Sequence, residues 1–184
     1  TISRTYNSRN KKSSWSGDIN LLLSKSLNSL NTITDTIESS NDEMIFEEVF
    51  ENVVILFTDG YIEYGKYDQR EGNRFYYLNQ KIVNEIRILA NKENLSIEDV
   101  IQKYDYGMIP IENPLLEYYN FIVLEMDDRS LSMSGSATVR PTDLEILEAI
   151  WIKWFTECGI KKYSFYPIGG SDVERIIQKE ILKE

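Results

Sequence analysis

The chain lacks histidine entirely and has a single cysteine, Cys158, among its 184 residues. Without histidine, these residues cannot form a Ser-His-Asp or Cys-His catalytic arrangement, and they offer no imidazole ligand for zinc. A single cysteine excludes an intrachain disulfide, a Cys-x-x-Cys redox pair and a thiolate metal site. Any bound metal must therefore be a hard cation with oxygen ligands, and acid–base chemistry would depend on carboxylates, lysine or tyrosine.

The chain also lacks long hydrophobic runs and an excess of positive charge. Its longest apolar run, Val53–Phe57, is far shorter than the ~20 residues that cross a bilayer, so we expect no transmembrane segment. Twenty Lys and Arg against 30 Asp and Glu give a net charge of −10, which argues against nucleic acid as a partner. The chain begins at Thr1 rather than Met, which indicates a processed or trimmed product, and two compartments are open: the cytoplasm, or an exported location if a signal was removed upstream.

Length and composition indicate one globular domain. Hydrophobic residues make up 42% of the chain and aromatic residues 12%, which suits a single core of this size. Residues 1–14 are polar and irregular, and they predict a flexible N-terminal segment. Residues 15–184 predict a single α/β domain.

Apolar patterning predicts the elements of this domain. Continuous apolar runs predict central strands, buried on both faces, at 53–57 and 119–126. The alternating segment 160–168 predicts a strand nearer the edge of the sheet. Apolar spacing of three and four residues predicts helices over 18–37, 43–50, 78–91, 96–104 and 141–158, and a terminal helix capped at Ser171.

This order of helices and strands predicts an α/β fold with three layers, in which a mainly parallel sheet carries helices on both faces. In such sheets, ligands bind at the carboxyl ends of the strands. Polar residues follow the first two predicted strands directly, at 58–60 and 127–132. We therefore expect a functional site where these strands end.

The strongest local signal is Thr58-Asp59-Gly60, at the end of the first predicted strand. A carboxylate held at a strand end can bind Mg²⁺ directly or through water. Glycine lets the chain turn there without a clash of a Cβ atom. Asp59 is equally well explained as a cap of the following turn, and the residues alone leave both explanations open.

The segment Val53–Gly60 resembles the fourth strand of von Willebrand factor A domains, which ends in Thr-Asp-Gly. Trp15–Ile19 is similar to the segment of those domains that carries a metal ligand before a helix. Phe121–Glu125 and Trp151–Phe155 resemble the last strands and helices of divergent bacterial members. The resemblance implies a Rossmann-like fold and a protein-binding module, in which an acidic residue of the partner completes the coordination of Mg²⁺ or Mn²⁺. It implies metal ligation by Asp59, Asp18 and Ser16, with Thr58 and Gly60 in the binding loop.

The first strand of that family and its Asp-x-Ser-x-Ser ligand loop have no counterpart before Trp15. We therefore expect an incomplete or shortened domain with a degenerate metal site. The same motif occurs later as Asp128-x-Ser130-x-Ser132, and a circularly permuted domain would place it beside Asp59. Chance is the favoured explanation of this match, because the loop is rich in serine.

A second resemblance predicts an enzyme. Residues 55–63 are also similar to the Thr-Asp-Gly-x-x-Glu segment of metal-dependent serine/threonine phosphatases of the sporulation type. In those enzymes a later Asp-Asp pair supplies another metal ligand, and Asp127-Asp128 is the matching pair here. This resemblance implies that two cations held by Asp59, Asp127 and Asp128 activate water for attack on a phosphomonoester. It is the alternative to the binding module.

The remaining aromatic residues and the cysteine favour structural roles. Trp151, Trp154, Phe155 and Cys158 lie on or beside one helical stripe and predict core positions. The tyrosines of 61–77 predict either an exposed recognition surface or a loop packed over the edge of the sheet, and packing is slightly favoured.

Overall fold

The structure is a computed structural model, and it describes residues 19–30, 32, 37–40, 45–48, 51–63, 70–169 and 172–182. The strands are β1 Ile37–Ser40, β2 Ile45–Glu48, β3 Asn52–Phe57, β4 Arg70–Glu71, β5 Arg74–Phe75, β6 Gly107–Met108, β7 Tyr119–Met126 and β8 Lys162–Pro167. The helices are α1 Ile19–Leu21, which continues through a π-helical turn at Leu22–Ser26 and a 3-10 turn at Leu27–Ser29, α2 Gln80–Glu93, α3 Ile97–Tyr104, α4 Asp143–Glu157 and α5 Val173–Ile177. A 3-10 turn at Pro114–Tyr118 precedes β7, and a π-helical turn at Gln178–Leu182 follows α5.

A three-stranded parallel sheet in the order β3-β7-β8 carries the fold. The α/β prediction is confirmed at this level, since a parallel sheet is flanked by helices. The predicted strands at 53–57, 119–126 and 160–168 are all present, and the third lies at an edge as expected. Two small antiparallel pairings, β1 with β2 and β4 with β5, lie outside this sheet.

Among the described strands, the first predicted strand is not central. Among the described strands, β3 pairs with β7 alone, so it forms a lateral edge of the sheet, and most of its residues are half-buried. The central strand is β7, which is buried along nearly its whole length. An apolar run shows that a strand is hydrophobic. Which strands pair with it depends on contacts distant in sequence.

Both faces of the sheet are covered by apolar side chains. Phe121 and Val123 of β7 belong to the larger core, with α2 and α4, whereas Ile122 and Leu124 pack with Ile176 of α5 on the opposite face. The larger core includes the aromatic stripe of α4 as predicted: Trp151, Trp154 and Phe155 are fully buried and in mutual ring contact.

A bulge near the end of β7 controls which face its last residue meets. The register shifts between Leu124 and Met126, and the intervening Glu125 has a φ of 69°. Strict alternation would place Met126 on the face of Leu124, but the extra residue returns it to the larger core. Positive φ in a non-glycine residue is strained, and such strain is common beside functional sites.

Two helices, α3 and α4, begin at capping residues that the sequence predicts. Thr142 and Glu145 form a reciprocal capping box at the start of α4, and the Ser96 hydroxyl accepts a hydrogen bond from the Asp99 N–H at the start of α3. The helix predicted over 78–91 is α2. At the terminal helix the prediction is off by one residue, because Asp172 is the cap of α5 and Ser171 lies outside the described residues.

Predictions for the first fifty residues are less accurate. The helix predicted over 18–37 extends from Ile19 to Ser29 among the described residues, and Ile37 begins β1 instead. The helix predicted over 43–50 is also wrong, because 45–48 form β2. Tertiary pairing overrides helical spacing in these short segments.

Two further structural features bear on the sequence predictions. Within the described residues, no helix is both long enough and apolar enough to cross a membrane. Cys158 is buried and accepts a hydrogen bond from the Ile111 N–H at 3.2 Å, and burial raises the pKa of its thiol to about 11. It is therefore an unreactive core thiol, as predicted.

Asp105 provides a test of electrostatics in the fold. Hydrogen bonds from Arg74 and Lys153 lower the pKa of its carboxyl from 3.8 to about 2. A lowered pKa stabilises the folded state above pH 4, and this contribution is lost as pH falls from about 4 to about 2. The side chain is 65% exposed, so we expect Asp105→Asn to cost no more than about 1 kcal/mol at pH 7.

Asparagine suits this position, because Asp105 has a φ of 54° and asparagine also tolerates left-handed backbone. Urea unfolding of both proteins at pH 7 and near pH 2 measures the effect. The stability difference should vanish at the acidic end, and an equal deficit at both pH values would show that charge is not its cause.

Candidate functional site

The parallel pairing of β3 with β7 brings the two predicted polar segments together. The Asp127 N–H donates to the Asp59 carbonyl at 3.0 Å, and the Thr58 N–H donates to the Leu124 carbonyl at 3.0 Å. The Ile168 N–H, after β8, donates to the Met126 carbonyl at 2.9 Å. The segments that follow all three strands therefore meet, as the sequence predicts for the carboxyl ends of parallel strands.

Thr58-Asp59-Gly60 forms a tight turn. The Gly60 N–H donates to the Thr58 hydroxyl at 3.1 Å, and the Tyr61 N–H donates to Asp59 Oδ1 at 3.1 Å. Gly60 has a φ of +89°, and its carbonyl accepts a hydrogen bond from Trp151 Nε1 at 2.8 Å. Asp59 thus does cap the following turn, with one carboxylate oxygen, while its other oxygen is directed elsewhere.

The second oxygen of Asp59 pairs with an arginine from the next segment. Arg129 Nη2 lies 2.7 Å from Asp59 Oδ2, and Arg129 Nη1 lies 3.3 Å from Glu63 Oε1. The guanidinium also stacks on the ring of Tyr61, at 3.9 Å from the centroid. Burial lowers the pKa of Arg129, but the hydrogen bond and charge of Asp59 outweigh it and raise that pKa. About 40% of each paired side chain is exposed.

A buried ion pair lies beneath this surface pair. The Tyr61 hydroxyl donates to Asp143 Oδ2 at 2.5 Å, and Gln80 Nε2 donates to the same oxygen at 2.9 Å. Arg87 Nη2 pairs with Asp143 Oδ1, and Arg87 Nε donates to the Pro141 carbonyl at 2.7 Å. Burial, then the hydrogen bond to Asp143, raises the pKa of the Tyr61 hydroxyl well above its usual range. Tyr61 thereby joins Arg129 at the surface to an ion pair in the core.

The predicted residues of the 128–132 loop have structural partners. The Ser130 hydroxyl donates to Asp128 Oδ1 and accepts from the Asp143 N–H at 3.0 Å, so it holds the start of α4. Ser132 is linked to Ser134 through their hydroxyls, 2.9 Å apart. The match to Asp-x-Ser-x-Ser therefore includes one serine that is 95% buried and committed to a helix start.

The predicted metal ligands are only partly described. Asp59 is at the strand end as expected, whereas Asp18 and Ser16 lie outside the described residues. In the described ranges, no group of three or more acidic or cysteine side chains is arranged to hold a metal ion. Asp59 and Asp127 are adjacent through their backbones, but Arg129 occupies the free oxygen of Asp59.

Sequence reasoning missed Arg87, Asp143 and Arg129. The signal for Arg87 is its place on the apolar stripe of α2, four residues after Val83, where an exposed arginine is not expected. Asp143 resembles an ordinary acidic residue in the first turn of a helix, and its burial depends on contacts distant in sequence. The pairing of Arg129 with Asp59 follows from the register of β3 and β7, which the sequence does not specify.

Exposed apolar side chains lie in the segments that follow β7 and β8. Leu131 is 42% exposed, Val139 42%, Ile168 55%, and Met133 is completely exposed. We call these four side chains, together with the Asp59–Arg129 pair, the strand-end surface. Acidic groups outnumber basic ones near the strand ends, because Glu63 follows β3, and Asp127 and Asp128 follow β7.

No family model, no curated protein and no solved structure matches the chain.

Proposed function

We propose that the chain is a protein-binding module of von Willebrand A-like type, with a three-layer Rossmann-like fold, whose partner binds at the strand-end surface. The observation that carries this proposal is the exposure of four large apolar side chains in the segments that follow β7 and β8, where the segment with the partly exposed Asp59–Arg129 pair also ends. Exposed apolar groups clustered around polar ones are typical of interaction sites. The carboxyl edge of a parallel sheet is also where ligands of such folds bind.

The charges of this surface favour a basic partner. Glu63 is exposed and Asp59, Asp127 and Asp128 are partly exposed, whereas the cation Arg129 pairs with Asp59 and Glu63. A partner segment with lysine or arginine between apolar residues would fill the apolar positions and meet the acidic excess. We therefore assign the partner to this chemical class.

A library of random displayed peptides, selected on the immobilised chain, tests the proposal. We expect the selected peptides to share a basic residue flanked by apolar ones. Leu131→Ser should weaken the binding of such a peptide by about tenfold, because one buried apolar anchor contributes 1–2 kcal/mol. Fluorescence polarisation of a labelled peptide measures the dissociation constant.

Ile152→Ser is the matched control, since Ile152 is also 42% exposed but belongs to the C-terminal half of α4 rather than to a segment that follows a strand. Its dissociation constant should stay close to that of the unmodified chain. Equal binding by Leu131→Ser and Ile152→Ser, or the absence of any shared peptide pattern, would rule out the strand-end surface as the binding site.

A divalent cation at Asp59 is a further part of this proposal. Since Arg129 holds Asp59 Oδ2, Mg²⁺ or Mn²⁺ must displace a guanidinium to reach it. Arg129→Gln should then raise the melting temperature gained on adding Mn²⁺, because a ligand that binds only the native state stabilises it. Asp59→Asn should abolish that gain. An equal response in all three proteins would place any bound cation elsewhere.

The phosphatase alternative has one observation in its favour, the backbone hydrogen bond that places Asp127 beside Asp59. Its test is hydrolysis of p-nitrophenyl phosphate in the presence of Mn²⁺. The binding-module proposal expects no turnover. Turnover that Asp59→Asn abolishes would replace it with metal-dependent hydrolysis by Asp59, Asp127 and Asp128.

A further inference from the structure

Among the described strands, one side of β3 forms a lateral edge of the sheet. The Thr58 N–H bonds to β7, so by alternation the backbone groups of Val54 and Leu56 also face β7. Those of Val53, Ile55 and Phe57 face away from it. Among the described residues no strand pairs with this side of β3. A row of free N–H and C=O groups is a template for another strand.

The sequence of β3 itself lacks the residue types by which proteins protect free strands. The residues of β3 read Asn-Val-Val-Ile-Leu-Phe, without charge, proline or glycine. The opposite lateral edge is protected, because β8 begins at the exposed Lys161-Lys162 and ends at Pro167. Charged residues and proline at an edge oppose further pairing. The composition of β8 therefore opposes pairing with a further strand, whereas that of β3 does not.

We propose that two copies of the chain pair antiparallel through β3 and join their parallel sheets into one. A two-fold axis requires a strand that is complementary to itself, and β3 meets this condition because it has no charge to oppose its own copy. With Val54 opposite Val54 of the second copy, Val53 and Ile55 face each other and exchange both backbone hydrogen bonds. Glu51 then faces Phe57, so no acidic residue within this span opposes another acidic residue.

This arrangement goes beyond the proposed function, and it would make the assembly bivalent. In an antiparallel pair the two β3 strands run in opposite directions, so the two strand-end surfaces lie at opposite ends of the joined sheet. Each surface remains accessible, because Leu131 and Met133 belong to loops beyond β7 rather than to the lateral edge. Two identical sites on one assembly increase the apparent affinity for a repeated or surface-bound partner.

Sedimentation equilibrium between about 1 and about 100 μM tests the pairing, and we expect a mass of twice 21.5 kDa at the upper end. Phe57→Glu should raise the dissociation constant about tenfold or more, because it replaces an apolar ring on the paired edge with a charge that pairing would have to desolvate. Ile88→Glu is the matched control, since Phe57 and Ile88 are both 64% exposed and Ile88 lies on α2. Equal weakening by both variants would overturn the proposal, as would a monomer at every concentration.

Hydrogen exchange of the unmodified chain gives a second measurement that needs no variant. The amides of Val53, Ile55 and Phe57 should become protected as the concentration rises, whereas those of Val54, Leu56 and Thr58 are protected throughout. Protection of the first set in a monomer would assign the edge to another segment of the same chain. Lack of protection at any concentration would leave the edge unpaired. Both results overturn pairing between copies.

Discussion

Asp143→Ala should destabilise the chain by about 3–5 kcal/mol, because it leaves the guanidinium of Arg87 buried without a counter-charge. Asp143 is 1% exposed and Arg87 is 7% exposed, so water cannot replace the lost partner. The substitution also removes the acceptor of the Tyr61 hydroxyl and of Gln80. Urea unfolding at pH 7 measures the loss, and a cost below about 1 kcal/mol would contradict the buried ion pair.

Two further variants separate the ion pair from other effects. Asp99→Ala removes an exposed acidic residue from the first turn of α3, so it reports a helix-dipole loss of about 0.3–1 kcal/mol, offset by the better helix propensity of alanine. The double variant Arg87→Met with Asp143→Leu replaces the pair with apolar groups. It should be considerably more stable than Asp143→Ala, because no buried charge is left unpaired. A double variant as unstable as the single one would mean that packing, not charge, dominates.

This ion pair also explains how a surface feature depends on the core. Tyr61 donates to Asp143 and carries the guanidinium of Arg129 on its ring. Tyr61→Phe keeps the ring but removes the hydroxyl. It should therefore leave the stacking of Arg129 in place, while the Asp143 carboxylate loses one of its hydrogen-bond donors. The position of the Asp59–Arg129 pair therefore depends on Tyr61 and Asp143, which are both buried.

Elements with strong local signals could be predicted from the sequence. The apolar run of β7 and the capping box of α4 depend on residues that are adjacent in sequence. Both elements are present where expected. The meeting of Asp59 and Asp127 also follows from sequence, since carboxyl ends of parallel strands lie together. Residues whose role depends on a distant partner were not predictable in this way. Asp143 has the local pattern of an acidic residue in the first turn of a helix, and its burial is visible only when α2 packs beside α4.

The edge position of β3 is a second example of the same limit. Its apolar run is typical of a central strand, yet β7 is the central one. If two copies pair through β3, the strand becomes central in the assembly, and the composition of the run agrees with its environment. The sequence prediction would then be wrong for the single chain and right for the pair.

Gly60→Ala is expected to destabilise the chain by about 2–3 kcal/mol, from two separate causes. A φ of +89° is unfavourable for alanine by roughly 1–2 kcal/mol. An added Cβ would also lie 3.0 Å from Met126 Cε and 3.2 Å from Leu147 Cδ1, and both side chains are fully buried, which adds about 1 kcal/mol of overpacking. Thermal and urea unfolding measure the total.

Gly72→Ala isolates the first cause, because Gly72 has a φ of +65° and no atom lies within 4 Å of its added Cβ. It should cost about 1 kcal/mol, less than Gly60→Ala. Equal costs would mean that Met126 and Leu147 give way freely and that the turn is not tightly packed. A larger cost at Gly60 would explain the glycine of Thr-Asp-Gly by packing under the turn and by the hydrogen bond from Trp151. Packing would then account for the glycine of the motif but not for the choice of aspartate at position 59. The second oxygen of Asp59 is directed at Arg129 rather than at the turn.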